Sequence, residues 1–322
     1  MNLLVTGGCG FIGSNFIHEV INKKKICKLV NVDCLTYASD KNNVRELESH
    51  PKYIFNKVDI ADERALKDTF YKHDITHVVH FAAETHVDNS ITGPFPFLKT
   101  NVIGTFNLLE LSRKYNIERF HHVSTDEVYG ALGKTGKFKP STPYDPKNTY
   151  SATKASSDML VRSHGHTFDV PFTISNCSNN YGPHQNYEKF IPVVINSILE
   201  EKKIPVYGSG KNIRDWIYVK DHCKAIWTIF TKGKSGETYL VGTSNEKTNI
   251  EIIYEICEAL NVNPKDHISF VKDRKGHDFR YAIDATKLKR NLGWKPKMDF
   301  KKGIKKTVKW YEKKFEDIYS GV

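Results

Sequence analysis

Residues 2–33 read NLLVTGGCGFIGSNFIHEVINKKKICKLVNVD, and this stretch decides the fold. Residues 2–6 form a short apolar strand that runs straight into glycines at positions 7, 8, 10 and 13. Beyond them Ile12, Phe16 and Val20 fall at i, i+4 and i+8, the stripe of a helix. Residues 28–32 read as a second strand, and Asp33 ends it 20 residues after Gly13. The glycines satisfy G-x-G-x-x-G at Gly8, Gly10 and Gly13, and equally G-x-x-G-x-x-G at Gly7, Gly10 and Gly13. Between a strand and a helix, such a run with Phe11 and Ile12 permits a tight turn and close backbone approach to a pyrophosphate at the positive helix end. A carboxylate at Asp33 accepts hydrogen bonds from adenosine ribose hydroxyls and repels a 2′-phosphate, so the expected cofactor is NAD rather than NADP. A glycine turn with only structural duties is the competing reading; strand, glycines, helix and acid together count against it.

The alternation continues downstream. Residues 53–55, 77–81, 119–124 and 172–176 read as strands, and residues 94–115 and about 150–166 as helices. Alternating strands and helices imply a parallel sheet covered on both faces by right-handed crossovers. The expected class is α/β, a doubly wound parallel-sheet Rossmann domain with a smaller mixed α/β C-terminal substrate domain. A length of 322 residues fits two domains, or one large domain with an embellishment. After Cys177 the pattern weakens, and 177–189 and 211–215 read as polar loops. The expected division gives 1–176 with returning segments at about 212–243 to the cofactor, and about 177–211 and 244–322 to the substrate.

Composition excludes several classes. The chain is 39% apolar and 26% charged, the proportions of an ordinary globule. It has no run of eighteen apolar residues and opens on a strand without a basic-then-apolar leader, so a cytoplasmic location is expected. The net charge of +11 is concentrated in residues 295–314, where nine lysines alternate with Val308, Trp310, Tyr311 and Phe315. That spacing describes a solvated lysine face over an apolar helix seam, and a nucleic-acid patch is the weaker reading. The six cysteines contain no C-x-x-C pair and no zinc spacing, so reduced thiols and no metal site are expected.

Two segments after strands suit a dinucleotide. Asp59-Ile60 supplies a carboxylate and an amide for an adenine ring, and Phe81-Ala82-Ala83 lets a cofactor lie against the chain. The chemistry is carried by Tyr150 and Lys154, at i and i+4 on one helix face. A free tyrosine ionises near pH 10. A neighbouring ammonium and a positive nicotinamide ring are expected to lower that value, so that the phenolate takes a proton from a sugar hydroxyl as hydride leaves.

With these elements the chain resembles the extended short-chain dehydrogenase/reductases that act on nucleotide sugars. The segment His122-Val123-Ser124-Thr125-Asp126-Glu127-Val128-Tyr129-Gly130 narrows the likeness, because Thr-Asp-Glu looks like the dTDP-glucose 4,6-dehydratases. Residues 82–88, 100–105, 176–183, 188–189, 214–216 and 273–278 agree, so the resemblance spans essentially the whole chain. It implies that Glu127 removes the C5 proton, Asp126 protonates the departing C6 hydroxyl and Thr125 hydrogen-bonds the sugar. It also implies that Thr36, Thr100 and Asn180 touch the cofactor.

A diphosphate substrate needs cations, and Arg214 and Arg274 match phosphate oxygens bidentately. The resemblance adds Thr85, Asn179, Glu188, Lys189, Tyr207, Asn249, His277 and Tyr281 on the substrate side. Cys9, Thr85, Ser39-Asp40 and Asn148-Thr149 stand where the family commonly has alanine, serine, Gly-Asn and Ser-Pro. The substrate implied is dTDP-glucose or UDP-glucose, since either suits the same catalytic set. A 4-epimerase or decarboxylase keeps the fold, but Asp126-Glu127 argues against it. A non-catalytic NAD-binding regulator has no need of Thr125, Asp126, Glu127, Tyr150 and Lys154 together. The resemblance further implies a homodimer built from the helices near 94–115 and 150–166.

Overall fold

In a computed structural model the described residues are 1–273 and 278–319. Strands β1 (Asn2–Thr6), β2 (Lys28–Asp33), β3 (Tyr53–Lys57), β4 (His77–His80), β5 (Arg119–Thr125) and β6 (Phe172–Cys177) alternate with helices. Six further strands follow: β7 (Asn179–Tyr181), β8 (Ile204–Tyr207), β9 (Ile213–Tyr218), β10 (Glu237–Val241), β11 (Glu246–Thr248) and β12 (Ile268–Val271). The main sheet has the order β10-β6-β5-β4-β1-β2-β3, and all its pairings are parallel. Its order reverses between β1 and β4, which opens a crevice beyond the carboxyl ends of those strands.

The alternation of side chains along each strand builds two cores. Leu3 and Val5 pack with Phe16, Ile17 and Ile226 on one face, whereas Leu4 packs with Phe70, Leu108 and Phe120 on the other. The helix Glu63–His73, which weak apolar spacing leaves unmarked in the sequence, joins the second layer through Leu66 and Phe70. The helical stretch from residue 95 to 114 contains a π-helical segment, Leu98–Gly104, where an added Cβ on Gly104 would lie 2.5 Å from the Ile60 side chain.

Two loops expected after Cys177 are corrected. Residues 213–218 form β9, the centre of a three-stranded sheet with β7 parallel and β11 antiparallel, so part of 177–189 is also strand. Asp215 conceals β9 in the sequence. It is fully buried, and its carboxylate accepts from the backbone N–H groups of Thr243, Ser244 and Asn245 and from the Thr243 hydroxyl. The segment at 212–243 divides: β9 belongs to this small sheet, while β10 forms the edge of the large one.

A third core joins Tyr181, Ile195, Trp216, Ile252 and the final helix Phe300–Tyr319. On that helix Ile304, Val308 and Tyr311 are buried, and lysines 301, 302, 305, 306, 309, 313 and 314 are exposed, the amphipathic arrangement read from the spacing. No helix among the described residues is long and apolar enough to cross a membrane.

Candidate active site

The turn after β1 is held by Gly7 N–H donating to Val32 O at 2.8 Å and Gly10 N–H donating to Gly7 O at 3.2 Å. Gly7 has φ +71°, and a Cβ there would lie 2.7 Å from the Ala82 nitrogen; a Cβ on Gly13 would strike Gly7 O at 2.2 Å. The helix Phe11–Val20 begins at Gly10 with no side-chain cap, so its first amides face the crevice unmatched. Gly7, Gly10 and Gly13 line the crevice whereas Gly8 packs against Asn31, which selects between the two overlapping glycine patterns. Asp33, at the end of β2, accepts from Cys9 N–H at 2.9 Å and Leu35 N–H at 2.8 Å.

One continuous cleft brings together every residue expected to touch the cofactor. Gly7, Gly10, Phe11, Ile12, Gly13, Asp33, Thr36, Asp59, Ile60, Phe81, Ala82, Ala83, Thr100, Tyr150, Lys154 and Asn180 all line it. Asp59 meets Lys99 at 2.8 Å; burial pushes its carboxyl up, but Lys99 and the Ala61 N–H outweigh that and hold it below the ordinary range. Asn186 Nδ2 donates to Tyr37 O at 3.0 Å and Asn15 Nδ2 to Pro183 O at 2.9 Å, joining the two walls.

β5 ends in Thr125, whose hydroxyl accepts from Glu127 N–H at 3.2 Å, caps the turn Asp126–Tyr129 and donates to Asp126 Oδ1 at 3.3 Å. The helix Thr149–Phe168 starts at Asn148, which forms a reciprocal cap with Ser151 and so fixes the first turn carrying Tyr150. Thr125, Asp126, Glu127, Tyr150 and Lys154 line the same cleft. Burial, then Glu127 and Asp215, raise the Asp126 carboxyl well above the ordinary range. Burial raises Glu127 too, against the opposing pull of Arg214 and Lys189.

The expected lowering of Tyr150, which counts a nicotinamide ring as well as Lys154, is not seen in the protein alone. Burial first, then Glu127, Cys177 and Asp126, raise its phenol well above 10 in the protein alone, against a hydrogen bond with Thr125. Lys154 points its ammonium at Val123 O, 2.9 Å away, and lies 3.4 Å from His122 Nε2. Burial brings it down to about 8.

On the substrate side Thr85, Asn179, Glu188 and Lys189 line the cleft. Lys189 Nζ donates to Thr85 O at 3.1 Å and lies 3.5 Å from Glu188. Arg214 and Tyr281 stack at 4.3 Å beside the acid pair, outside the cleft lining, and Arg214 donates to the carbonyls of Ile213, Asp278 and Phe279. Tyr207 ends β8 and Asn249 starts the helix Asn249–Leu260, both also outside the lining. Arg274 and His277 lie outside the described residues.

Several contributors carry no motif. Asn101 bridges Glu84 through both backbone groups and donates to Thr153, tying the post-β4 loop to the tyrosine helix. Ser124, Ser178 and Gln185 line the cleft with buried oxygens that have no hydrogen-bond partner among the described residues, as does Asp126 Oδ2. Such orphans in a cleft call for a polar ligand.

A parallel sheet with its crevice at the strand reversal, a glycine cradle and an apposed acid pair and tyrosine–lysine pair define a nucleotide-sugar-modifying class. The chain belongs to the family described as GDP-mannose 4,6 dehydratase, whose model matches residues 4–307. It is 48% identical to dTDP-glucose 4,6-dehydratase 1 of Escherichia coli K12, covering 97% of this chain and 92% of that one. Among solved structures it is similar to dTDP-glucose 4,6-dehydratase of Bacillus anthracis in complex with NAD, with 46% identity, a TM-score of 0.91 and 98% of each chain covered. The dTDP-glucose 4,6-dehydratase of Streptomyces venezuelae, solved with NAD bound, gives 38% identity, a TM-score of 0.94 and 97% of each chain.

Proposed function

We propose that this chain converts dTDP-glucose to dTDP-4-keto-6-deoxyglucose, with NAD as its resident cofactor. The observation that carries the reading is the adjacent Asp126–Glu127 pair in the same cleft as Tyr150 and Lys154. A 4-epimerase needs the second pair but not the first. The glycine cradle, Asp33 and the alanines after β4 fit a dinucleotide, because side chains at Gly7 or Gly13 would fill its space. Held there, NAD would supply the hydride acceptor for C4 and the hydride donor for C6.

The rest of the chemistry falls to the protein. With the positive nicotinamide ring of bound NAD and Lys154, one helical turn away, favouring the phenolate against burial, Tyr150 would take the proton of the C4 hydroxyl. The C4 ketone then acidifies C5, and Glu127 removes that proton. Asp126, kept protonated by burial and by two neighbouring carboxylates, gives its proton to the departing C6 hydroxyl, and water leaves. Glu127 returns a proton to C5. Over one turnover Tyr150 gains a proton and Asp126 loses one, so both must be reset before the next.

In this reading residues 1–176 and the returning part of 212–243 hold NAD, and the remainder grips the nucleotide sugar. In this reading the reaction takes place in the cytoplasm. The chain works as a homodimer through the helices that carry Phe95, Leu98 and Met159, which are 68%, 47% and 52% exposed in the single chain. The test is mass spectrometry after incubation with dTDP-glucose and UDP-glucose in heavy water. Loss of one water with one deuterium gained at C5, faster for dTDP-glucose, is expected. An unchanged mass with an altered sugar would replace the reading by an epimerase.

A further inference from the structure

Tyr150, Lys154 and Asp158 recur every four residues on the helix Thr149–Phe168, so phenol, ammonium and carboxylate share one face. Nothing in the chemistry above uses Asp158, yet it is 0% exposed. Its Oδ2 accepts from the Tyr144 hydroxyl at 2.7 Å and from Asn176 Nδ2 at 3.1 Å. The same Asn176 nitrogen donates to Thr125 O at 3.1 Å. Oδ1 lies 3.2 Å from His122 Nε2, and that ring nitrogen lies 3.4 Å from Lys154 Nζ. His122 is 0% exposed, and its other nitrogen has no partner among the described residues. A carboxylate buried this deeply persists only with a compensating charge. Arg162, the next residue on the face, donates to Tyr144 and Thr238 and also feels the Asp158 charge.

We propose that Asp158 and His122 are positioning residues that form the buried anionic backing of Lys154 and thereby support C4 oxidation. The inference rests on the reading of Tyr150 and Lys154 as the oxidation pair. Lys154 faces Tyr150 and Asp158 on its own helix, His122 on β5, Cys177 on β6 and His80 on β4. Asp158 faces Tyr129, Tyr144 and Arg162 as well. Among these Asp158 is the principal group favouring the charged lysine against burial. The imidazole stays neutral in its buried setting, with burial and Lys154 lowering it to about 4. It therefore lets one carboxylate act on the ammonium without adding a second cation.

The test compares the holoenzyme with Asp158→Asn across pH, following C4 oxidation by reduced-cofactor absorbance in single turnover. Lys154 loses its charge as pH rises through about 8. Removing the Asp158 charge makes that loss occur sooner, so the alkaline limb should move down by about one pH unit. At pH 7 acylation of Lys154 by acetic anhydride, read by peptide mass spectrometry, should be several-fold faster in the variant. His122→Gln should move the limb in the same direction by less, and serves if Asp158→Asn does not fold. A purely structural cluster would lower the rate equally at every pH; an unmoved limb and unchanged acylation in a folded variant would overturn the inference. Absence of cofactor reduction in the parent protein would instead overturn the reading on which it rests.

Discussion

Asp126 and Glu127 are neighbours in sequence and differ in what surrounds them. Both are raised by burial and both are pulled back by Arg214, but Lys189 adds to that pull on Glu127 against a push from Asp278, whereas Glu127 and Asp215 push Asp126 further up. Asp126 is therefore the group that holds a proton and Glu127 the one that can be free of it. As pH falls through the raised value of Glu127, the base becomes protonated. The acid limb of C5 exchange should accordingly lie above 4.5, the ordinary glutamate value. As pH rises past the value of Asp126, the acid is lost and elimination slows while oxidation continues. Glu127→Gln should abolish deuterium entry at C5, with a loss of roughly 10²–10⁴-fold, and leave NAD bound. Deuterium wash-in followed by mass spectrometry checks both statements, and normal exchange in Glu127→Gln would move the base elsewhere.

At the scale of elements, the order of strands and helices through β6 was legible because buried parallel strands are short apolar runs and their helices keep a clear stripe. β9 was not, because Arg214 and Asp215 are strand residues whose polar groups are satisfied by backbone carbonyls and amides from distant segments. The cofactor half of the site was legible for the same reason as the sheet: glycines and Asp33 lie at fixed offsets from strand ends. Asn101 and Asp158 were not legible as site residues, since a lone polar residue on a helix gives no sign of being buried. The helix Thr149–Phe168 joins the two kinds of information. Its start departs from the usual Ser-Pro, yet Asn148 caps it through Ser151. Asn148→Ala should cost about 1 kcal/mol, lowering Tm by roughly 2 °C in a chain of this size. Asn148→Ser should restore it. Calorimetry decides, and an unchanged Tm for the alanine variant would mean that packing alone sets the helix start.

At the scale of the whole molecule, the helix Thr149–Phe168 that carries Tyr150 and Lys154 is also an outer wall. It packs beside the helix Thr105–Lys114, and this side of the sheet exposes Ile91, Phe95, Leu98, Ile103, Phe106 and Met159, each between 43% and 68%. Single exposed apolar residues are ordinary, but six of them on neighbouring helices that already bury one face against a sheet call for a second surface. A copy of the chain would supply one, and a two-fold contact would pair the set with itself. Tyr150 and Lys154 would then sit on a helix braced from both sides. Light scattering should give twice the chain mass of 36.9 kDa. Leu98→Glu combined with Met159→Lys places charges in the middle of that contact and should halve the mass. The glycine cradle and Asp33 lie on other elements, so the monomer should still bind NAD, while turnover falls as the catalytic helix loses its outer support. If the doubly substituted chain keeps the doubled mass, the contact lies elsewhere and the exposed apolar set serves a different partner.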